Sequence, residues 1–507
     1  MHQPNNTPWR ADLIVGISLI ACIAGYFSLL NYYSFDISSD DALYFQRALS
    51  HFSVLEFSPH FPGYPGFVWL ERLINAISSH PNSNVLLSFF SAIALTVSVF
   101  VYCYQRMQIK SLALFSVLLF LLQGNIAELA FNGLSDASAL WFFSLYLLLT
   151  RFNLPLGSTP LFKTKLHRVL QPLLQGQTFS AVISGLLLAA CLATRPSYLP
   201  LVASAMLLGL LYHRQRRQGY QQLGCQILCI TLVGILCALY VFMQDGWAYI
   251  EEGRRFTQGH FTIWGNTTST TDSRLSQWLA TLTNTYSTLG VILLTSMLAI
   301  GLYQQKTRGL SILVCCWFAW IIRGQNPENI RHLAVFSLLL PIICAQLIEH
   351  FYQTQRMRPA LYILSFILLV TLGYHSIKQF TQQRNAPVLQ VTQFFKTMNK
   401  QQIIISNYNI DNLRHNLPQH VILDRHYQSS SNYQAQQQGY WRLSSNRLNN
   451  ESIVKQFKGR FLGERSLYLY YFDPNHLNIT ANIALSRQTD IMITILNRNA
   501  YFPTKML

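Results

Sequence analysis

Apolar and polar residues alternate along this chain in long blocks. Mostly apolar runs centre near 12–30, 84–104, 111–127, 135–150, 178–194, 197–212, 224–243, 284–303, 309–322, 332–348 and 360–377. Crossing a hydrocarbon core takes about 20 such residues, so the pattern predicts about eleven transmembrane helices. The runs at 135–150 and 309–322 are short for that task. The stretch 178–212 divides into two helices at "TRPS" (194–197), because proline cannot continue a helix and holds its predecessor out of the α region. The first run follows one arginine, lacks a small-residue cleavage site and exceeds the roughly 7–15 residues of a signal-peptide core. It therefore predicts a retained helix.

Past about residue 380 the period changes. The tail is polar and rich in Gln and Asn. "QQIIIS" (401–406), "HVILD" (420–424), "RSLYLYYF" (465–472) and "DIMITIL" (490–496) predict strands, and "VLQVTQFFKTMNK" (388–400) predicts a helix. "HYQSSSNYQAQQQGY" (426–440) predicts a mobile loop. The expected architecture is an all-α membrane domain over 1–380 and a small external α/β domain over 381–507.

Composition agrees with the pattern. Of 507 residues, 51% are hydrophobic and 11% charged, against about 25% charged in soluble domains. The net charge of +17 lies mostly in short loops between apolar runs, which favours membrane topology over a nucleic-acid partner. One set of alternate loops carries Arg106 and Lys110, then Arg151, Lys163, Lys165 and Arg168, then Arg214, Arg216 and Arg217, then Lys306 and Arg308, then Arg356 and Arg358. The positive-inside rule places these loops and the N-terminus in the cytoplasm. The opposite set, which takes in Asp40, Asp41, Asp136, Asp272 and the tail, is then external. All nine cysteines lie in or beside apolar runs and read as small packing groups rather than as a disulfide framework.

Several polar groups interrupt this design on the external side. "SSDDALYFQRA" (38–48) puts two carboxylates just past the first run, and a helix from Ser39 would align Asp40, Tyr44 and Arg47 on one face. Ser38 and Asp41 also match a capping box, a role compatible with a rigidly held catalytic base. In "SPHFPGYPGFVWL" (58–70), Pro62 and Pro65 around Gly63 predict a tight turn presenting His60 and Tyr64. A plain interfacial turn would look the same. Asp136 opens a helix, after Ser135, as a cap or a functional acid. Arg195 stands in a very short turn, where a guanidinium is costly unless it meets lipid phosphate or an acidic partner. Arg331 and His332 sit at the mouth of a later helix. The loop 251–272 offers Arg254, Arg255, His260 and Trp264, either as binding groups or as an amphipathic surface.

At these residues the chain resembles the GT-C superfamily of membrane glycosyltransferases, in particular protein O-mannosyltransferases and the lipid A aminoarabinose transferase. The matching elements are Asp40, Asp41, Tyr44 and Ala48, then "HFPGYP" (60–65), Asp136, Thr194–Arg195–Pro196 and Arg331 in "NIRHL". The order of elements matches up to about residue 380. One departure is Asp41, where the family more often carries Glu. The resemblance implies transfer of a sugar from a polyprenyl-phosphate donor to a hydroxyl of a glycan, lipid or protein acceptor, outside the membrane. Asp40 would be the general base and Asp41 its orienting partner or a metal ligand. Asp136 would shape the acceptor side, with Tyr44, His60, Tyr64 and His260 shaping the substrate site. Arg195, Arg331, His332, Arg254 and Arg255 would hold the donor phosphate. A bacterial inner membrane with a periplasmic site is the expected setting.

No Walker loop, dinucleotide fingerprint or zinc spacing is present in the sequence, and a divalent ion at Asp40 or Asp41 stays open. Two other readings compete. A transporter or flippase would show repeated halves and charges deep within spans. A polymerase or ligase of lipid-linked glycans would rely on late Arg and His residues without the early acid pair.

Overall fold

A computed structural model describes residues 8–150, 177–212, 216–259, 273–352, 358–425, 431–432, 435, 437, 439–449 and 451–473. The chain forms two compact units. The first takes residues up to Phe35, Tyr44–Phe380 and Phe461–Gly463. The second takes Asp36–Leu43, Thr381–Arg460 and the residues from Glu464 onward.

The first unit is helical. Its described helices are α1 (Pro8–Leu30), α2 (Asp40–Arg47, whose first turn belongs to the second unit), α3 (Pro65–Ser78), α4 (Ser83–Met107), α5 (Lys110–Leu121), α6 (Ile126–Phe131), α7 (Asp136–Thr150), α8 (Gln177–Thr194), α9 (Leu199–Tyr212), α10 (Arg216–Asp245), α11 (Ala248–Gly259), α12 (Arg274–Tyr286), α13 (Thr288–Tyr303), α14 (Arg308–Gly324), α15 (Ala334–Tyr352) and α16 (Arg358–Ile377). Helix occupies all eleven apolar runs. Among the described residues, three stretches are long and apolar enough to cross a membrane: Ser83–Met107, Gln218–Asp245 and Ile330–Tyr352. A fourth is added if α12 and α13, bent by 105°, count as one broken span. The bend falls at Ser287, which has φ 64° and whose Oγ accepts from the Gly290 N–H.

Burial separates the helices by role. The apolar window of Ile330–Tyr352 is entirely buried, whereas that of Gln218–Asp245 is 17% buried. The latter exposes Leu228, Leu232, Leu236 and Leu239. A helix apolar all round whose face meets no protein suits contact with lipid. The cysteines are unpaired thiols; Cys103, Cys191, Cys229 and Cys344 are buried as packing groups, whereas Cys315 and Cys316 are exposed and pack on nothing comparable among the described residues.

The first loop is anchored by one carboxylate. Asp245, at the end of α10, accepts from Ser53 Oγ at 2.6 Å and from the Val54 N–H at 2.7 Å. The following turn has a Gly63 N–H···O=C His60 bond of 2.9 Å, Gly63 at φ 97°, and cis bonds before Pro59 and Pro62.

In the second unit, α17 (Pro387–Lys396) and α18 (Ile410–Asn416) pack on a five-stranded sheet, in the order β2-β1-β3-β5-β4. The strands are β1 (Ile403–Ser406), β2 (Val421–Asp424), β3 (Tyr440–Ser444), β4 (Lys455–Phe457) and β5 (Leu467–Phe472). β1 runs parallel to β2 and β3, and β5 runs antiparallel to β3 and β4. Val391, Phe395, Ile404, Leu413, Leu443 and Leu469 form its core. "DIMITIL" lies outside the described residues, as does most of 426–440.

Replacing Asp245 with Ala strips the loop of two bonds to a charged acceptor, each worth about 1.5–3 kcal/mol. The expected result is faster proteolysis within residues 50–60 and a lower melting temperature in detergent, read by limited digestion and thermal unfolding.

Candidate active site

The break between α8 and α9 builds the centre of the first unit's polar site. Helix α8 ends at Thr194. Arg195 is extended, at φ −146° and ψ 91°, and Pro196 starts a 3₁₀ turn over Pro196–Tyr198. The break turns the guanidinium sideways into the protein, where the residue is 6% exposed. Arg195 Nε lies 2.9 Å from Asp136 Oδ1, and Nη1 donates to Ser135 Oγ at 3.1 Å. Tyr198 Oη donates to the same Asp136 oxygen at 3.2 Å, and its ring lies 5.5 Å from the Arg195 guanidinium carbon. Arg195 Nε, although ion-paired with Asp136 Oδ1, and Asp136 Oδ2 are both sealed from solvent without a hydrogen bond among the described residues. Asp136 thus serves the arginine and the tyrosine rather than its own helix end.

A hydrogen-bonded turn fixes Asp136. The Leu134 N–H donates to Asn132 Oδ1 at 2.9 Å, and Gly133 takes φ 64°. From α4, Asn84 Nδ2 donates to the Gly133 carbonyl and Ser88 Oγ to the Leu134 carbonyl. Gly66 makes a second fixed point. A Cβ there would meet the Ala193 carbonyl carbon at 2.8 Å and the Thr194 nitrogen at 2.9 Å. Only glycine lets α3 start this close to the residues that precede Arg195.

Glu128, on short α6, joins the cluster, although the sequence reading assigned it no role. Its Oε1 accepts from Asn132 Nδ2 at 3.3 Å, while its Oε2 is sealed from solvent without a hydrogen bond. The side chain as a whole keeps some exposure. Burial of the carboxyl end, reinforced by the Asp136 charge, raises its pKa to about 7, against the pull of Asn132, Arg331 and Arg195. Arg331 and His332 lie in the 3₁₀ turn Ile330–Leu333 that leads into α15. His332 is buried, and its carbonyl accepts from Trp317 Nε1 at 2.9 Å. The structure thus brings Asp136, Arg195 and Arg331 into one electrostatic group, with Glu128 added.

The other candidates in this unit form a neighbouring aromatic cluster. The His60 ring lies 5.1 Å from Tyr64, 6.2 Å from Tyr44 and 6.4 Å from Phe256. Helix α11 rests on Phe61 at Gly253, where an added Cβ would meet the ring at 2.7 Å. Arg254 and Arg255 are exposed on α11, and Arg255 pairs with Glu252 at 2.9 Å. That pairing places them on a solvated helix face, as the amphipathic reading allows. His260 and Trp264 lie outside the described residues.

In the second unit, the cap of α2 differs by one residue from the expected box. Ser39 Oγ, not Ser38, accepts from the Ala42 N–H at 3.2 Å. Asp40 is therefore directed elsewhere: its Oδ1 accepts from the Asn412 N–H at 2.8 Å, at the start of α18. Asn412 and Asn409 donate back to the Ile37 and Ser38 carbonyls. Desolvation, with Asp411 and Asp41 nearby, raises the Asp40 carboxyl to about 6, although the Asn412 and Asp411 N–H groups oppose the shift. Asp40 and Asp41 also act on Tyr408, whose ring lies 5.4 Å from the Arg465 guanidinium carbon. Among the described residues no group of three or more His, Cys, Asp or Glu side chains is arranged to hold a metal ion.

No protein-family model matches the chain, and no curated protein matches it in sequence. Solved structures do. The apo form of ArnT from Cupriavidus metallidurans aligns with TM-score 0.50 and 10% identity, over 92% of this chain and 99% of that one. The same protein bound to undecaprenyl phosphate aligns with TM-score 0.49 and 11% identity, over 92% and 98%. The apo oligosaccharyltransferase of Archaeoglobus fulgidus aligns with TM-score 0.45 and 10% identity, over 83% of this chain, which spans only 65% of that protein. The likeness to the apo ArnT structure, over nearly the full length of both chains, shows that the protein shares that fold.

Proposed function

We propose that the protein transfers a sugar from a polyprenyl-phosphate donor to an acceptor hydroxyl on the external face of a membrane, the periplasmic face of a bacterial inner membrane. The observation that carries this reading is the buried Arg195. Its Nη1 donates to Ser135 and its charge is paired with Asp136, while the buried Nε has no hydrogen bond among the described residues and keeps its donor capacity. A guanidinium fixed in a poorly solvated place stabilises a developing phosphate charge without reorganising as the reaction proceeds. Arg331 adds a second positive charge to the same group. The GT-C fold supports the reaction class.

The proposed step is a single displacement. The acceptor oxygen attacks the anomeric carbon as its proton passes to a carboxylate, for which Asp40 is the candidate. The bond from that carbon to the phosphate oxygen breaks, and its electron pair leaves with the lipid phosphate, stabilised by Arg195 and Arg331. One displacement inverts the anomeric centre. Asp41 orients the base. Asp136 holds Arg195 and Tyr198, and in this reading it belongs to the phosphate side more than to the acceptor side. The aromatic cluster of Tyr44, His60 and Tyr64 offers ring faces for a sugar, and Arg254 and Arg255 offer charge to lipid phosphates.

Arg195→Ala should lower kcat by about 10²–10³. Arg195→Lys should recover little of it, because an ammonium cannot reproduce the two-edged geometry. Both outcomes are read by sugar transfer from a lipid-phosphate donor in purified, folded protein. Asp136→Asn leaves a buried arginine without its counter-charge, at a cost of about 3–5 kcal/mol, so its melting temperature should fall along with its activity.

A base must be ionised to accept a proton. With Asp40 raised to about 6, the rate should fall as pH drops through 6, and Asp40→Asn should lose about 10²–10⁴ of the rate together with that limb of the profile. Wild-type activity in the Asp40→Asn variant would remove Asp40 as the base.

A further inference from the structure

The charge balance of the arginine cluster poses a problem for an arriving phosphate. Asp136 neutralises Arg195 across 2.9 Å. Glu128, when ionised, offsets Arg331, so these four side chains together carry no net charge. Placing an anion in such a site gains little, because each guanidinium already has a counter-charge nearby. Two carboxylate oxygens here, Glu128 Oε2 and Asp136 Oδ2, are sealed from solvent and lack hydrogen-bond partners. Asp136 is wholly buried but directly paired with a cation. Among the described residues the Glu128 carboxylate has Asn132 alone as a direct hydrogen-bond partner, so it is the acid that loses least by becoming neutral.

We propose that binding of a lipid phosphate at Arg195 and Arg331 is coupled to uptake of one proton by Glu128, which makes Glu128 a positioning residue that sets the charge of the donor site. The inference rests on the reading of this cluster as a phosphate site. When the anion arrives, a proton from solvent joins a Glu128 carboxylate oxygen, and the bound complex keeps its balance with the phosphate in place of the carboxylate. The charged groups acting on Glu128 are Asp136 from α7, Arg195 from the α8–α9 break and Arg331 from the turn before α15. Uncharged groups from other elements also pack on α6. Phe89 of α4 meets Phe131, Ser337 of α15 bonds Asn125, and Gly463 lies so close that a Cβ would meet Glu128 Cγ at 2.9 Å. With its carboxyl near 7, Glu128 changes occupancy within the range where a membrane enzyme works.

The test uses the full chain in detergent and a polyprenyl methyl phosphate, a diester whose single charge does not titrate. Binding is measured by calorimetry in two buffers of different ionisation enthalpy, from about pH 6 to pH 8.5. In the wild type, affinity should fall roughly tenfold per pH unit above pH 7, with close to one proton taken up per lipid bound at the alkaline end. Glu128→Gln, neutral and of the same shape, should bind with pH-independent affinity and no proton uptake, while Glu128→Asp should restore the uptake. Binding by the wild type without proton uptake, or with a pH profile unchanged in Glu128→Gln, overturns the role of Glu128 and leaves the phosphate site standing. Absence of binding by the wild type, matched by an Arg195→Ala variant with unaltered activity, overturns the phosphate site and this inference together.

Discussion

The site depends on one ion pair between Arg195 and Asp136, closed at 2.9 Å in a place almost without water. Neither charge could sit there alone, since an isolated buried ion costs several kcal/mol. The pair adds little to stability in the way an apolar contact would. What it fixes is orientation: it holds a guanidinium at the end of a helix that Pro196 forbids to continue. Tyr198 on one side and Ser135 on the other complete the hold. A flexible arginine on a loop would have the same charge without a fixed direction.

The surrounding structure serves that orientation from two sides. Asn84 and Ser88 reach from α4 to the turn that delivers Asp136. Gly66 lets the start of α3 touch the chain one residue before Arg195. Because Tyr64 lies two residues before Gly66, the aromatic cluster and the arginine are tied through a few backbone atoms. Packing of this kind has discrete arrangements rather than a continuous range, so the two groups keep their spacing.

Much of this was legible in the sequence where the signal was long or chemically sharp. The eleven apolar runs marked the helices because each carries more than ten residues of one character. Thr194–Arg195–Pro196 marked the break because proline leaves the backbone no alternative. Shorter signals failed. β3 and β4 have five and three residues, too few for an alternation to stand out, and the seven-residue helix at Ile410–Asn416 carries no long period. The cap of α2 moved from Ser38 to Ser39 because two adjacent serines offer the same hydroxyl. Glu128 was hidden for a different reason. In "IAELAF" an acid in the first turn reads as a solvated helix end, and only the fold sets it against Asp136 and Arg331.

The way the chain is divided between the units has a consequence for biosynthesis. Residues 36–43 belong with Thr381–Arg460, and Phe461–Gly463 belong with the helices. Asp40 meets its backbone partner across a sequence separation of 372 residues. The acid-bearing segment therefore emerges early from the ribosome and has to wait, unsatisfied, until nearly the whole protein has been made. Neither unit can be excised at a single cut, because each would lose a strand of chain that the other's sequence supplies. Folding of the second unit thus waits on residues from both ends of the sequence, and a chain that stalls before Asn412 leaves Asp40 without its backbone partner.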